Sequence, residues 1–185
     1  MDYQTIINKY YGEEDSELKT ILLRHSQSVA KKALQIGSMH PELNIDLQFV
    51  EEAAMLHDIG IIRCDAPGIA CHGTEPYICH GRLGAEMLRQ EGFERHARVC
   101  ERHTGAGITK DEILQQQLPL PLQDFLPETV EEKLICFADK FFSKTKPDRE
   151  KTIEETEHSL AKFGQEGVKR FRHWAQLFKN PLNSI

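Results

Sequence analysis

Apolar residues recur at helical spacing along nearly the whole chain, and on several of these apolar faces a histidine or an aspartate takes one of the inward positions. Leu18, Ile21, Leu22, Val29, Ala33 and Ile36 trace one side of a helix predicted over residues 16 to 38, and His25 falls on that side. A second helix is predicted from near Asp46, burying Phe49, Val50, Ala53 and Leu56 and running through His57 and Asp58 to a stop at Gly60. His80, Leu83, Gly84, Met87 and Leu88 share a face of a helix ending near Gly92, and His96, Val99, Cys100 and His103 share a face of the next. Two T-x-x-E capping boxes, at Thr109 to Glu112 and Thr129 to Glu132, open further helices. In the second of these, Val130, Leu134, Phe137, Ala138 and Phe141 face inward and Asp139 sits among them. The tail from Asp148 to Phe178 reads as two more amphipathic helices, one with Ile153, Leu160 and Phe163, the other with Val168, Phe171, Trp174 and Phe178. No period-2 strand and no internal repeat is found, so the expected fold is all-α.

Length and composition fit one globular domain: 185 residues, 39% hydrophobic and 28% charged. No run of ~18 apolar residues could span a bilayer, and the first residues, MDYQTIINKYYGEED, lack the basic and apolar segments of a secretory signal. A cytoplasmic location away from membranes is expected. Five cysteines, an odd number without a CxxC pair, read as reduced thiols, and the spacing of Cys71-His72 and Cys79-His80 does not fit structural zinc. A net charge of −6 argues against a dedicated nucleic-acid binder, with the basic run Lys169 to His173 read as a solvated helix face. From Arg63 to Cys79 the sequence RCDAPGIACHGTEPYIC has no periodicity and reads as a long loop that could serve as a lid.

The polar exceptions carry the chemistry. A lone histidine on an apolar face is usually a hydrogen-bonded core residue, and His40, His72, His96, His158 and His173 are read that way. His25, His57, Asp58, His80, His103 and Asp139 form a set, because helices pointing their apolar faces at one interior bring the polar residues of those faces together. Burying them costs several kcal/mol, on the order of the penalty for unpaired buried ions, unless a cation compensates. Four imidazoles and two carboxylates suit Fe, Mn, Ni, Co or Zn. Six ligands exceed the four of one tetrahedral site, which favours two metals sharing a carboxylate, with Asp58 the natural bridge.

The order His25, His57-Asp58, Asp139 resembles the H…HD…D signature of the HD-domain metal-dependent phosphohydrolase superfamily, and HDIG at residues 57 to 60 is the spelling of a large subgroup. His80 in HGRLGAEML and His103 in ERHTG are similar to the additional histidines of its dinuclear members. ERHTGAGIT, PETVEEKL and FADK resemble small stand-alone HDIG proteins, and HTG and the AD-containing helix are similar to bacterial HD hydrolases of diadenosine tetraphosphate. The resemblance spans about residues 16 to 145, leaving residues 146 to 185 as a helical extension. It implies one metal on His25, His57, Asp58 and Asp139 and a second on Asp58, His80 and His103, with iron foremost. His57, Asp58, His80 and His103 then form the catalytic centre, where a metal-activated hydroxide attacks phosphorus. The expected substrate is a small phosphorylated metabolite or nucleotide, since two divalent ions against two carboxylates leave about +2 at the site. Arg63, Arg82, Lys140 and Thr104 are the expected substrate contacts, and Arg24 also neighbours a ligand. Two other readings share the ligand set: a mixed-valent di-iron oxygenase of the HD fold, and a non-catalytic metal-containing nucleotide-binding module. The sequence assigns neither oligomeric state nor a particular substrate.

Overall fold

The computed structural model describes residues 1–146 and 149–179, so Asp148, where the tail was expected to begin, lies outside the described residues. Helices α1 (Tyr3–Tyr11), α2 (Glu17–Ser38) and α3 (Leu47–Leu56) start at Asp2, Ser16 and Asp46, whose side chains accept from backbone amides of the first turn. Next come α4 (His80–Gln90) and α5 (Glu94–Arg102), then α6 (Lys110–Gln116) and α7 (Val130–Asp139). Both predicted capping boxes form at the starts of α6 and α7. A third, Thr152 with Glu155, opens α8 (Ile153–Ala161), and α9 (Gln165–Leu177) ends the described chain. The all-α expectation holds, and no helix among the described residues is long and apolar enough to cross a membrane.

Two details differ from the sequence reading. The α-helix of α3 stops at Leu56, and after His57 and Asp58 the chain tightens into a 3-10 turn at Ile59–Arg63. Gly60 is the reason: a Cβ there would lie 2.1 Å from the carbonyl oxygen of His80 and 2.4 Å from the amide nitrogen of Gly84. Only a residue without a side chain lets this turn rest on the start of α4. The segment after Arg63 is also more ordered than a bare loop. It holds a two-residue antiparallel ladder, β1 (Asp65–Ala66) with β2 (Cys71–His72), and the amides of Thr74 and Glu75 return to the Arg63 carbonyl. Strands of two residues are too short for alternation to reveal them.

The core forms two main apolar clusters. One gathers Val29 and Ala33 of α2, Val50 and Ala54 of α3, Leu134 and Phe137 of α7, and Phe171 and Trp174 of α9. The other gathers Ile7 of α1, Leu22 of α2, Leu56, Ile59, and Met87 and Leu88 of α4. Along α2 the clusters divide between Leu22 and Val29, which is where His25 stands; along α3 they divide between Met55 and Leu56, just before His57 and Asp58.

Candidate metal centre

All six residues singled out by helical periodicity are buried and come together. They form two groups that share one member. His25, His57, Asp58 and Asp139 each offer a ligand atom within 4.8 Å of the others, and so do Asp58, His80 and His103. The two oxygens of Asp58 divide between the groups. Oδ2 lies 3.2 Å from His25 Nε2 and 3.1 Å from His57 Nε2, while Oδ1 lies 3.3 Å from both His80 Nε2 and His103 Nε2. Asp139 closes the first group, its Oδ1 2.9 Å from His25 Nε2 and 3.5 Å from His57 Nε2.

Backbone geometry fixes which ring nitrogens face inward. Nδ1–H of His57, His80 and His103 donates to the carbonyls of Ala54, Tyr77 and Cys100 at 2.6, 2.7 and 2.7 Å, each acceptor three residues earlier. Each Nε2 is thereby left pointing at the aspartates, as in histidines that ligate metal. His80 Nε2 and His103 Nε2 stand 3.0 Å apart, so two lone pairs meet unless a proton or a cation lies between them. Meanwhile His57 Nε2 and both Asp58 oxygens, all buried, lack an aligned hydrogen bond. Ring nitrogens turned inward onto buried carboxylate oxygens, with Asp58 making no aligned hydrogen bond, are the donor set of a divalent cation, and the residues fit one.

The electrostatics divide the rings: in the metal-free protein His57 holds a proton that a cation would displace, whereas His80 and His103 do not. Burial resists charge on His57, but Asp58 and Asp139 outweigh it and push its pKa up to about 9. Burial dominates at His80, pushed down to about 3, and lowers His103 as well, which keeps both rings neutral and able to ligate. Burial also opposes charge on the two aspartates, yet Lys144 and His57 hold Asp58, and Lys140 with the histidines holds Asp139, well below the usual carboxylate range.

A cavity of about 490 Å³ opens onto the cluster, walled by His25, His80, His103 and Asp139, by Ala66, Gly68 and Ile69, and by the stretch following α7. Among the described residues its wall carries Lys140, Lys144 and Lys151 beside Asp139, with Asp58 buried behind Lys144, so cations gather at this chamber in an otherwise acidic protein. Of the expected substrate contacts, Thr104 and Lys140 line this chamber. Arg63 and Arg82 do not; both turn to Glu86, Arg63 at 4.0 Å and Arg82 in a close (i, i+4) pair. Arg24 is exposed on α2, outside the lining. Lys140 is partly occupied, its ammonium 2.5 Å from Asp139 Oδ2 and 2.9 Å from the His103 carbonyl. Sequence reasoning missed Lys144, whose Nζ is 2.6 Å from Asp58 Oδ2, and Tyr77, stacked on His80. The other histidines have ordinary surroundings: His96 and His40 meet Glu52 and Glu42, and His72, His158 and His173 are exposed.

Comparison with known proteins places this geometry in context. The HD domain family matches residues 22–143. A tRNA (cytidine(56)-2'-O)-methyltransferase of Picrophilus torridus is 35% identical over 144 residues, 73% of this chain and 38% of that protein. An uncharacterized protein of Methanocaldococcus jannaschii is 39% identical over 128 residues, 68% of each chain. A second methyltransferase of the same name, from Thermoplasma volcanium, is 35% identical over 134 residues, 72% of this chain and 33% of its own length. The chain thus spans about a third of the methyltransferases it matches. No solved structure matches it.

Proposed function

The chain belongs to the HD domain family, and on that premise we propose that it is a metal-dependent phosphohydrolase, cleaving a phosphoester or phosphoanhydride of a small metabolite or nucleotide. The observation that carries this reading is Asp58, whose two oxygens face two separate sets of inward nitrogens. That arrangement suits two divalent ions, one held by His25, His57, Asp58 and Asp139, the other by Asp58, His80 and His103; iron is the first expectation, with Mn, Ni, Co or Zn the alternatives. Bound there, such ions supply Lewis acidity that makes water a nucleophile near neutral pH and offsets charge on a transferring phosphoryl group.

The chain's own residues supply the rest. The Nδ1–H bonds of His57, His80 and His103 hold the rings in orientation, and Lys140 braces Asp139 against the His103 carbonyl. Lys140 therefore acts as a positioning residue. Lys144 reaches the cluster from the chamber side and is placed to hold a phosphoryl oxygen once its present partner, Asp58, is engaged by a cation. Thr104, beside His103, offers a hydroxyl to the same group.

Elemental analysis of the purified protein, followed by phosphate-release assays over nucleotides and generic esters with the native metal restored, tests the reading. About two ions per chain and metal-dependent phosphate release are expected. Less than one ion per chain, or turnover that requires dioxygen and a one-electron-reduced di-iron form, overturns it. So does methyl transfer to tRNA by this chain alone, the activity named for two relatives that it covers only in part.

A further inference from the structure

A second cavity, of about 450 Å³, adjoins the metal chamber and shares with it Tyr77, His80, Thr104, Gly105, Leu160 and Phe163. Its character is different. Beyond the shared residues its wall is largely apolar, with Ile78, Ala106, Ile108 and Leu118. The polar side chains present are engaged with the protein itself. Arg170 donates to the carbonyls of Ala106 and Gly107 at 2.8 and 2.9 Å and pairs with Glu112 at 3.1 Å. Glu112 also accepts from the amide and hydroxyl of Thr109 within its capping box, and Gln116 Nε2 donates to the Phe163 carbonyl at 3.3 Å. The second chamber therefore offers a ligand apolar surface more than hydrogen bonds.

We propose that this chamber binds an apolar group of the substrate, so that the molecule cleaved is a phosphoester of a hydrophobic alcohol, its phosphoryl end among Lys144, Thr104 and the metal cluster and its apolar end against α9 and the turn before it. The inference rests on the hydrolase reading and narrows it. One wall, Leu160, Phe163, Gly164, Gly167 and Arg170, comes from the segment beyond the matched residues 22–143, so a part of the chain outside the HD domain match shapes the chamber. Phe163, with 70% of its surface exposed, stands where the two cavities join and adds an aromatic rim.

Titration calorimetry on the full chain loaded with Mn²⁺ tests the proposal, using phosphonates, whose C–P bond resists hydrolysis. With 1-naphthylmethylphosphonate against methylphosphonate, affinity should favour the naphthyl compound by at least ~10-fold, as expected for burying a bicyclic ring. Two substitutions should bring that ratio toward one: Gly167→Leu, whose side chain would fill the chamber, and Phe163→Ser, an exposed change that spares the core. Thermal melting of both variants shows that they fold. Equal affinities for the two phosphonates, a ratio that survives both substitutions, or tighter binding of an adenosine phosphonate than of the naphthyl compound overturns the proposal. If no phosphonate binds while 1-naphthol still does so in a manner that Gly167→Leu abolishes, the apolar chamber stands and the hydrolase reading falls.

Discussion

Replacing Asp58 by asparagine keeps the shape of the side chain while removing its charge and turning one ligating oxygen into an amide that cannot ligate. Two separable effects follow. In the metal-free protein Asp58 Oδ2 neutralises Lys144, whose side chain is only 13% exposed. Leaving that ammonium without its partner should cost ~3 kcal/mol, the lower end for breaking a buried pair, because Lys144 can swing toward the open chamber. In metal, the effect is larger in kind. A cation that binds only the folded chain adds ~2.7 kcal/mol at a hundred times its Kd, which for a chain of this size raises Tm by about 5–11 °C. Asp58 belongs to both ligand groups, so the variant should lose the response at both, shifting by less than ~2 °C under the same conditions. Melting curves of both proteins, with chelator and across an Fe²⁺ or Mn²⁺ series, separate the effects. A purely structural Asp58 would lower the chelated Tm and leave the metal response intact, and that outcome would refute the bridging argument.

Three further outcomes follow from the same geometry. Gly60→Ala should cost ~3 kcal/mol or more, since its methyl would overlap rigid backbone of α4, whereas Gly68→Ala, with no atom within 4 Å, should stay within ~0.5 kcal/mol in urea denaturation. Lys144→Met should raise metal affinity by removing a competing cation from Asp58, and should weaken phosphonate binding by about tenfold through loss of one charge-assisted contact, both read by calorimetry. The last concerns pH. Because the aspartates push His57 up to about 9 in the metal-free protein, its charge stabilises the fold fully below the ordinary histidine pKa, and that contribution is lost as pH rises through about 9. Metal uptake displaces this proton, so apparent affinity should climb by up to ~10-fold per pH unit from pH 7 and level off above 9; a flat profile from pH 7 to 9 would contradict the assignment.

How much of this was legible beforehand depends on what each residue's position encodes. His25, His57, Asp58, His80, His103 and Asp139 were readable because helical periodicity assigns each to a buried face, and buried faces have one interior to meet in. Arg82 misled through adjacency: residues two apart on a helix point to different sides, so an arginine two positions after His80 turns from the cluster to Glu86, four positions on. Lys144 was invisible for the opposite reason. It lies in the short turn bridged by Ser143 and Lys146, beyond the last residue of α7, where no repeat assigns a side. The overrun predicted for α3 is short: the sequence places the stop at Gly60, while the α-helix ends at Leu56 and a 3-10 turn begins at Ile59, a tightening tied to the contact of Gly60 with α4, which periodicity does not register.

The chamber shows how a site's charge can differ in sign from the chain's total. A net charge of −6 bears on the surface as a whole, and the acidic total speaks against a broad phosphate-binding face. Anion recognition inside a cavity needs only a few cations held at short range in surroundings that water screens poorly. On the proposed reading Lys144 and Lys151 are placed to meet that need from the stretch after α7, with Lys140 held on Asp139, and they face histidines delivered by α2, α4 and the exit of α5. Each of these segments reads as ordinary on its own. Their joint charge exists only once the fold has closed, which is why no single segment announces it.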